Sequence, residues 1–219
     1  MNYWRNFELM ENLSEKIAGM LLDIEAVKIS PEKPFTWASG WKSPIYCDNR
    51  LSLSHPSVRT FMKESLVSLI KEKFENIDGI AGVATAGIPQ AALIADLMEL
   101  PMLYVRSKPK GHGRENMIEG SMPEGATLVV IEDLISTGGS SLKAVEALIE
   151  AGYKVAGLTA IFTYGFDVAV KNFSDAKVPF YTLSSYTELL EVAVQKSYIK
   201  ESELESLKAW REDPGSWGK

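Results

Sequence analysis

The spacing of apolar residues alternates between a helical and a strand pattern along most of the chain. Apolar side chains recur every three or four residues over 3–25 and from Pro56 to Phe74, which predicts two helices. Continuous apolar runs predict strands at 79–84, 102–105, 127–131, 154–162 and 180–183. Helical patterns follow at 90–99, 140–151, 185–195 and 199–211. This alternation predicts an α/β fold with a mostly parallel central sheet flanked by helices.

Residues 26–54 differ from the rest of the chain. They are rich in Pro, Gly, Ser and aromatic residues, which favours short strands and turns and predicts a small N-terminal hood. Because no linker or repeat divides the sequence, we expect one domain over 1–219. Its predicted parts are the hood (1–55), the core (56–195) and a C-terminal helix (196–219). Ligands of parallel sheets bind at the carboxyl ends of strands, so the turns after 84, 105, 131 and 162 are the predicted site.

Composition and charge narrow the function classes. The 219 residues are 46% hydrophobic and 24% charged, with 23 basic against 29 acidic residues and a net charge of −6. Such a chain is a poor general polyanion binder, so we expect no nucleic-acid and no membrane partner. One cysteine and two histidines exclude a disulfide framework and a Cys/His zinc site. The N-terminus lacks the pattern of a signal peptide and no apolar run is long enough to span a bilayer, so we expect a cytoplasmic protein.

The most informative segment follows the apolar run 128–131. Glu132 and Asp133 come directly after it, and buried carboxylates require hydroxyls, a metal or cations as partners. Residues 136–140 then place small side chains and two glycines before a helix, where the backbone N–H groups favour an anion. Further donors are the hydroxyls of Thr137, Ser140 and Ser141. The segment predicts a phosphate cradle beside carboxylates that hold vicinal hydroxyls, although its turn alone is also typical of a simple helix cap.

This segment resembles the phosphoribosyl-diphosphate (PRPP) signature of the type I phosphoribosyltransferases. In that signature two acids and two apolar residues follow a strand and precede a small-residue turn. The resemblance implies the type I phosphoribosyltransferase fold, with Asp133 as a catalytic residue. It implies PRPP binding by Glu132, Asp133, Leu134, Ile135, Ser136, Thr137, Gly138, Gly139 and Ser140. It also implies Mg²⁺ as a cofactor that is held mainly by substrate and water, with no metal ligand predicted in the protein.

A basic segment follows the strand at 102–105. Residues 106–114 contain four Lys or Arg, one His and no acid, while Pro and Gly keep the segment from forming a helix or strand. A solvated charge run is the ordinary interpretation. Within the orotate branch of the family, however, the equivalent loop matches at Arg106, Lys110, His112 and Gly113. The resemblance implies that Arg106, Lys110 and His112 bind pyrophosphate, that Lys110 is catalytic, and that loop 106–117 acts in the other subunit of a homodimer.

Two further segments complete the predicted site. Small residues at 82–89 permit a third wall for the pyrophosphate, or simple packing of a strand on a helix. Residues 35–48 resemble the N-terminal signature of orotate phosphoribosyltransferases and imply the base orotate. Tyr46 is a candidate stacking face and Lys42 a candidate support, and packing of the hood is the alternative for both. By family position, Ser136 also contacts orotate.

The resemblance covers roughly residues 20–195 and implies transfer of the phosphoribosyl group from PRPP to orotate in pyrimidine biosynthesis. Three positions depart from some well-known members of the family. Those members have a lysine where this chain has Ala38, a lysine at the position of Ala86 and an arginine at the position of Tyr164. These departures leave the assignment of the residues that bind the base open. Two rivals remain: a purine phosphoribosyltransferase, which would lack the 35–48 signature, and a non-catalytic PRPP-sensing regulator, which would need a basic DNA-binding extension.

Overall fold

The computed structural model describes residues 3–37, 40–108 and 117–217, with side chains from Leu13 onward. Its helices are α1 (Tyr3–Asp23), α2 (Pro56–Lys73), α3 (Gly87–Met98), α4 (Gly139–Glu150), α5 (Asp167–Asp175), α6 (Tyr186–Gln195) and α7 (Leu204–Glu212). Short 3-10 turns cover Asn49–Ser54 and Glu201–Glu203. The strands are β1 (Val27–Ile29), β2 (Phe35–Thr36), β3 (Lys42–Ser43), β4 (Ile45–Cys47), β5 (Gly79–Val83), β6 (Met102–Val105), β7 (Ile118–Glu119), β8 (Thr127–Ile135), β9 (Lys154–Thr163) and β10 (Phe180–Ser185).

Six strands form the central sheet in the order β10-β9-β8-β5-β6-β7. Neighbouring strands are parallel except β7, which runs antiparallel to β6 at the edge. The predicted α/β fold with a mostly parallel sheet is therefore confirmed. The four short strands of the hood form two separate antiparallel pairs, β1 with β4 and β2 with β3.

Apolar cores lie on both faces of the sheet. Along β8, Val129 and Ile131 face a core with α1, α2, α3, α6 and α7, while Leu128 and Val130 face a second core with α4 and α5. Because successive side chains of a strand point to opposite faces, a strand between two cores must be apolar at every position. This explains the unbroken apolar run that identified β8 in the sequence.

Several boundaries differ from the predicted ones. Helix α3 begins at Gly87 rather than at residue 90, and β8 continues to Ile135 rather than ending at residue 131. Strand β7 and helix α5 were not predicted, and the pattern at 199–211 resolves into a 3-10 turn followed by α7. Strand β8 extends because its partner β9 continues to pair with it, from Glu132↔Ala160 through Ile135↔Thr163.

Candidate functional site

The acid pair lies where one neighbour of β8 ends. Strand β5 pairs with β8 up to Gly82↔Ile131, whereas β9 accompanies β8 beyond the acids. One side of the strand therefore opens at Glu132 and Asp133. The turn from β5 into α3 passes beside this opening, and the approach is so close that a Cβ on Gly87 would lie 2.4 Å from the Ile131 carbonyl oxygen.

Glu132 is the buried member of the pair, at 5% exposure. Its Oε1 accepts the backbone N–H of Asp133 at 3.1 Å and its Oε2 accepts the hydroxyl of Ser141 at 3.2 Å. Burial raises the pKa of Glu132 well above its ordinary value, and the neighbouring charge of Asp133 adds to the increase. Ser141 is itself buried, so its hydroxyl serves Glu132 and not the phosphate cradle, which corrects the sequence-based expectation for that residue.

Asp133 is the less buried member of the pair. Burial raises its pKa as well, but hydrogen bonds from Glu132 and from backbone N–H groups lower it, as does the charge of Arg50. The pKa values of both carboxyls are raised, and that of Glu132 is raised further, because Glu132 is more deeply buried and faces the charge of Asp133. Of the two, Glu132 is the carboxyl that more readily holds a proton.

The raised pKa of Glu132 predicts a pH dependence of stability. A carboxyl whose pKa is higher in the folded chain contributes stability that is fully present below its unfolded pKa, about 4.3. That stability is lost as the pH rises through the folded pKa. We expect the free energy of unfolding to fall from about pH 5 through neutral, by up to about 1.4 kcal/mol per pH unit for one proton.

Urea unfolding of the native chain and of Glu132→Gln at pH 5 and pH 8 measures this effect. The neutral amide removes the titrating group, so the variant should be less sensitive to pH and should gain relative stability at pH 8. Equal pH sensitivity of the two chains would contradict the assignment of the proton to Glu132.

A buried asparagine holds the backbone of Asp133 from the hood. Asn49 is 1% exposed, its Nδ2 donates to the Asp133 carbonyl at 2.7 Å, and its Oδ1 accepts from the Cys47 thiol at 3.3 Å. A buried carbonyl that loses such a partner costs about 1–3 kcal/mol. Sequence reasoning missed Asn49, because a contact across 84 positions leaves no local signal.

The small-residue turn after β8 forms the N-terminus of α4. Gly138 precedes the helix with a φ of +80°, a conformation that favours glycine, and no described side chain caps the helix there. From α5, Asn172 donates its Nδ2 to the Thr137 carbonyl at 3.0 Å and fixes the turn. A Cβ on Gly139 would meet nothing closer than the Thr137 hydroxyl at 3.8 Å. The uncapped N–H groups and the open space suit a phosphate group.

Two predicted PRPP-binding residues have core side chains. Ile135 is fully buried, and its carbonyl accepts the Thr163 hydroxyl at 3.2 Å and the Tyr164 N–H at 3.1 Å. Leu134 packs against the core on the opposite face of the sheet. Any contact of these two residues with substrate must therefore be made by their backbone atoms. Their role in binding PRPP stays a prediction.

The end of β6 contributes a cation next to the cradle. A cavity of about 350 Å³ lies between α4 and the ends of β5 and β6, and Ala84, Arg106 and Ser140 all line it. The Arg106 guanidinium lies 3.5 Å from the Glu119 carboxylate. The structure therefore places Arg106 in one cavity with Ala84 of the predicted pyrophosphate wall and Ser140 of the predicted cradle, and the acid pair does not line that cavity. Lys110 and His112 lie outside the described residues.

The hood supplies the aromatic side of the site. Tyr46 is 44% exposed, and its ring centroid lies 5.7 Å from that of Phe35. Lys42 donates to the Thr36 hydroxyl at 2.9 Å across the β2–β3 pair. Tyr164, in contrast, is 3% exposed and stacks with Trp37 at 5.2 Å. This chain therefore has a buried ring at position 164, while Tyr46 offers an exposed aromatic face.

Among the described residues, no group of three or more His, Cys, Asp or Glu side chains is arranged to hold a metal ion. The helices within the described ranges also include none that is long and apolar enough to cross a membrane.

The fold and this site define a class of protein. A family model of the phosphoribosyl transferase domain matches residues 56–186, and the chain belongs to that family.

Individual relatives show to which branch of the family the chain is most similar. Orotate phosphoribosyltransferase of Cytophaga hutchinsonii is 56% identical over 95% of this chain and 100% of the relative. The enzyme of the same name from Bacteroides fragilis is 55% identical over 95% of this chain and 98% of its own length. The crystal structure of orotate phosphoribosyltransferase from Aeropyrum pernix superimposes with a TM-score of 0.72 at 30% identity, covering 80% of this chain and 96% of the other. Within its family, the chain thus belongs to the orotate phosphoribosyltransferases.

Proposed function

We propose that this protein transfers the 5-phosphoribosyl group of PRPP to orotate, giving orotidine 5′-monophosphate and pyrophosphate in pyrimidine biosynthesis. The observation that carries the proposal is the position of Asp133 at the end of β8 that β5 leaves open, next to the uncapped N-terminus of α4. A carboxylate suits ribose hydroxyls and a helix N-terminus suits the 5-phosphate. Relatives at 55–56% identity that bear the name orotate phosphoribosyltransferase support orotate as the base.

Positioning and electrostatics account for the chemistry, since no covalent nucleophile is needed. Positive charge develops at the anomeric carbon as pyrophosphate leaves, and Asp133 lies where it can stabilise that charge. We propose that Arg106, which shares a cavity with Ala84 and Ser140, meets the departing pyrophosphate. By resemblance, Lys110 and His112 complete the neutralisation of the leaving group, and closure of their loop excludes water.

The side chains of this site fit a magnesium ion that arrives with the substrate. Both oxygens of Glu132 already accept hydrogen bonds, so Asp133 is the member of the pair that can offer a charged oxygen. Mg²⁺ usually retains water and substrate oxygens in preference to an all-protein cage. When bound, the ion supplies positive charge to the diphosphate.

The proposal is tested by supplying PRPP and Mg²⁺ with one base at a time: orotate, adenine, hypoxanthine, xanthine and uracil. We expect consumption of orotate alone, followed at its ultraviolet absorbance, with release of pyrophosphate. Turnover of a purine and none of orotate would assign the chain to another branch of the family. Binding of PRPP without turnover of any base would favour a sensing role.

We also propose that the protein is a homodimer in which loop 106–117 acts in the neighbouring subunit. Support comes from the match of Arg106, Lys110 and His112 to the family loop. A cytoplasmic location stays a prediction from the sequence.

Mixing two impaired variants tests whether the loop acts in the neighbouring subunit. Lys110→Ala and Asp133→Asn should each be nearly inactive, but a mixed dimer combines one intact loop with one intact body. Random exchange makes half of the dimers mixed, so we expect about a quarter of the native activity per subunit from the mixture. Exchange is checked with tagged subunits. No recovery despite exchange would place each loop over its own site.

A further inference from the structure

The C-terminal helix α7 inserts an indole between the hood and the sheet. Trp210 is fully buried, and its Nε1 donates to the carbonyl of Lys42 at 3.3 Å. Its ring centroid lies 5.2–5.6 Å from those of four aromatic residues: Trp37, Tyr164, Phe166 and Tyr186. Trp210 is therefore in contact with both structures that flank the predicted base site.

On the hood side, these contacts hold a hairpin that has little support of its own. Strands β2 and β3 pair over two residues each, and such a short hairpin is not stable alone. Trp37, in the turn between them, donates its Nε1 to the Ile45 carbonyl at 3.3 Å. Phe35 of the same hairpin contacts the ring of Tyr46. The position of Lys42 and Tyr46 thus depends on a hairpin that Trp210 anchors at its backbone.

On the sheet side, Trp210 packs edge-on against Tyr164, at an interplanar angle of 88°. Tyr164 directly follows β9, and its backbone N–H donates to the carbonyl of Ile135. Burial raises the pKa of Tyr164, and the charges of the Cys47 and Asp133 groups add to the increase. The indole therefore sets the distance between the hood hairpin and the end of the sheet.

We propose that Trp210 is a positioning residue for the orotate site, acting through the Lys42 carbonyl and the Trp37 ring. The inference rests on the proposed function, because it concerns the base that the hood receives. The phosphate cradle on α4 and α5 lies against the other core, so positioning by Trp210 should affect the base and not PRPP.

The test compares conservative variants of the full chain. Trp210→Phe keeps a ring and removes the indole N–H, and Trp210→Tyr provides a second variant with a ring of different polarity. We expect KM for orotate to rise about two- to tenfold, as for the loss of one hydrogen bond, while KM for PRPP stays within twofold. Steady-state kinetics with each substrate varied in turn measure the two constants, and circular dichroism confirms folding.

Two controls separate positioning from a general loosening of the C-terminus. Trp217 donates its Nε1 to the Ser206 carbonyl at 3.0 Å within the same segment, so Trp217→Phe should change neither KM. Tyr186 packs its ring on Trp210 and donates its hydroxyl to the Leu207 carbonyl at 3.1 Å, so Tyr186→Phe keeps the ring contact and removes only a hydrogen bond to the backbone of α7.

An equal rise of both KM values in the Trp210 variants, or the same orotate effect in Tyr186→Phe, would overturn the inference. An unchanged KM for orotate in a folded Trp210→Phe would do the same. Failure of the proposed function is distinguishable, since the native chain would then not consume orotate at all.

Discussion

Replacing Asp133 by Asn is expected to lower kcat by about 10²–10³-fold, whereas Glu132→Gln should keep most of the activity. The two residues are adjacent and both acidic, but their environments differ. Glu132 is buried and its pKa is raised strongly, so Glu132→Gln replaces a group whose neutral form is favoured, whereas Asp133→Asn removes the less buried carboxylate, which we propose faces the developing positive charge. The new amide can keep the contact with the Asp133 N–H, because that acceptor role needs only a carbonyl oxygen.

Steady-state kinetics at saturating orotate and PRPP measure the contrast, and circular dichroism shows whether each variant is folded. Ser141→Ala serves as a control for the local contact, since it removes the hydroxyl on Glu132 without altering Asp133. Equal losses in Asp133→Asn and Glu132→Gln would show that both side chains act as carboxylates, as the sequence alone suggests.

Local sequence was sufficient to locate the five parallel strands of the central sheet and the contiguous segment of the candidate site. The acids and the turn 136–140 are contiguous, so a strand, a carboxylate pair and a helix N-terminus could be placed without knowledge of tertiary contacts. The sequence left two interpretations of the turn 136–140 open, a phosphate cradle and a simple helix cap. No described side chain caps the N-terminus of α4, which favours the phosphate cradle.

Features that depend on distant contacts could not be predicted. The role of Ser141 follows from the direction in which the first turn of α4 points its side chain, back toward Glu132. The 3.6-residue period indicated a helix near 199–211 but not that Trp210 would enter the hood. Helix α5 was not predicted because the alternating apolar residues around Val168 and Val170 match neither a clear helical nor a clear strand pattern. Both side chains are exposed.

Gly87→Ala is expected to destabilise the fold by about 2–3 kcal/mol and to lower Tm by about 4–12 °C. The added Cβ would lie 2.4 Å from the Ile131 carbonyl oxygen and 3.3 Å from the Cα of Glu132. Both atoms belong to the backbone of a central strand that is paired on both sides up to Ile131, so neither can move as a flexible side chain would. The strain must shift either the start of α3 or the end of β8.

Differential scanning calorimetry of Gly87→Ala and Gly139→Ala provides the measurement and its matched control. Both glycines lie at the start of a helix, but a Cβ on Gly139 meets its nearest atom at 3.8 Å, so that variant should not lose thermal stability. If Gly87→Ala had the same Tm as the native chain, the approach of α3 to β8 would not be as close as the structure has it. A large loss of thermal stability would show that the turn after β5, which is the predicted pyrophosphate wall, is packed tightly against β8. The contact that limits residue 87 to glycine would then also hold this turn against the strand that carries Asp133.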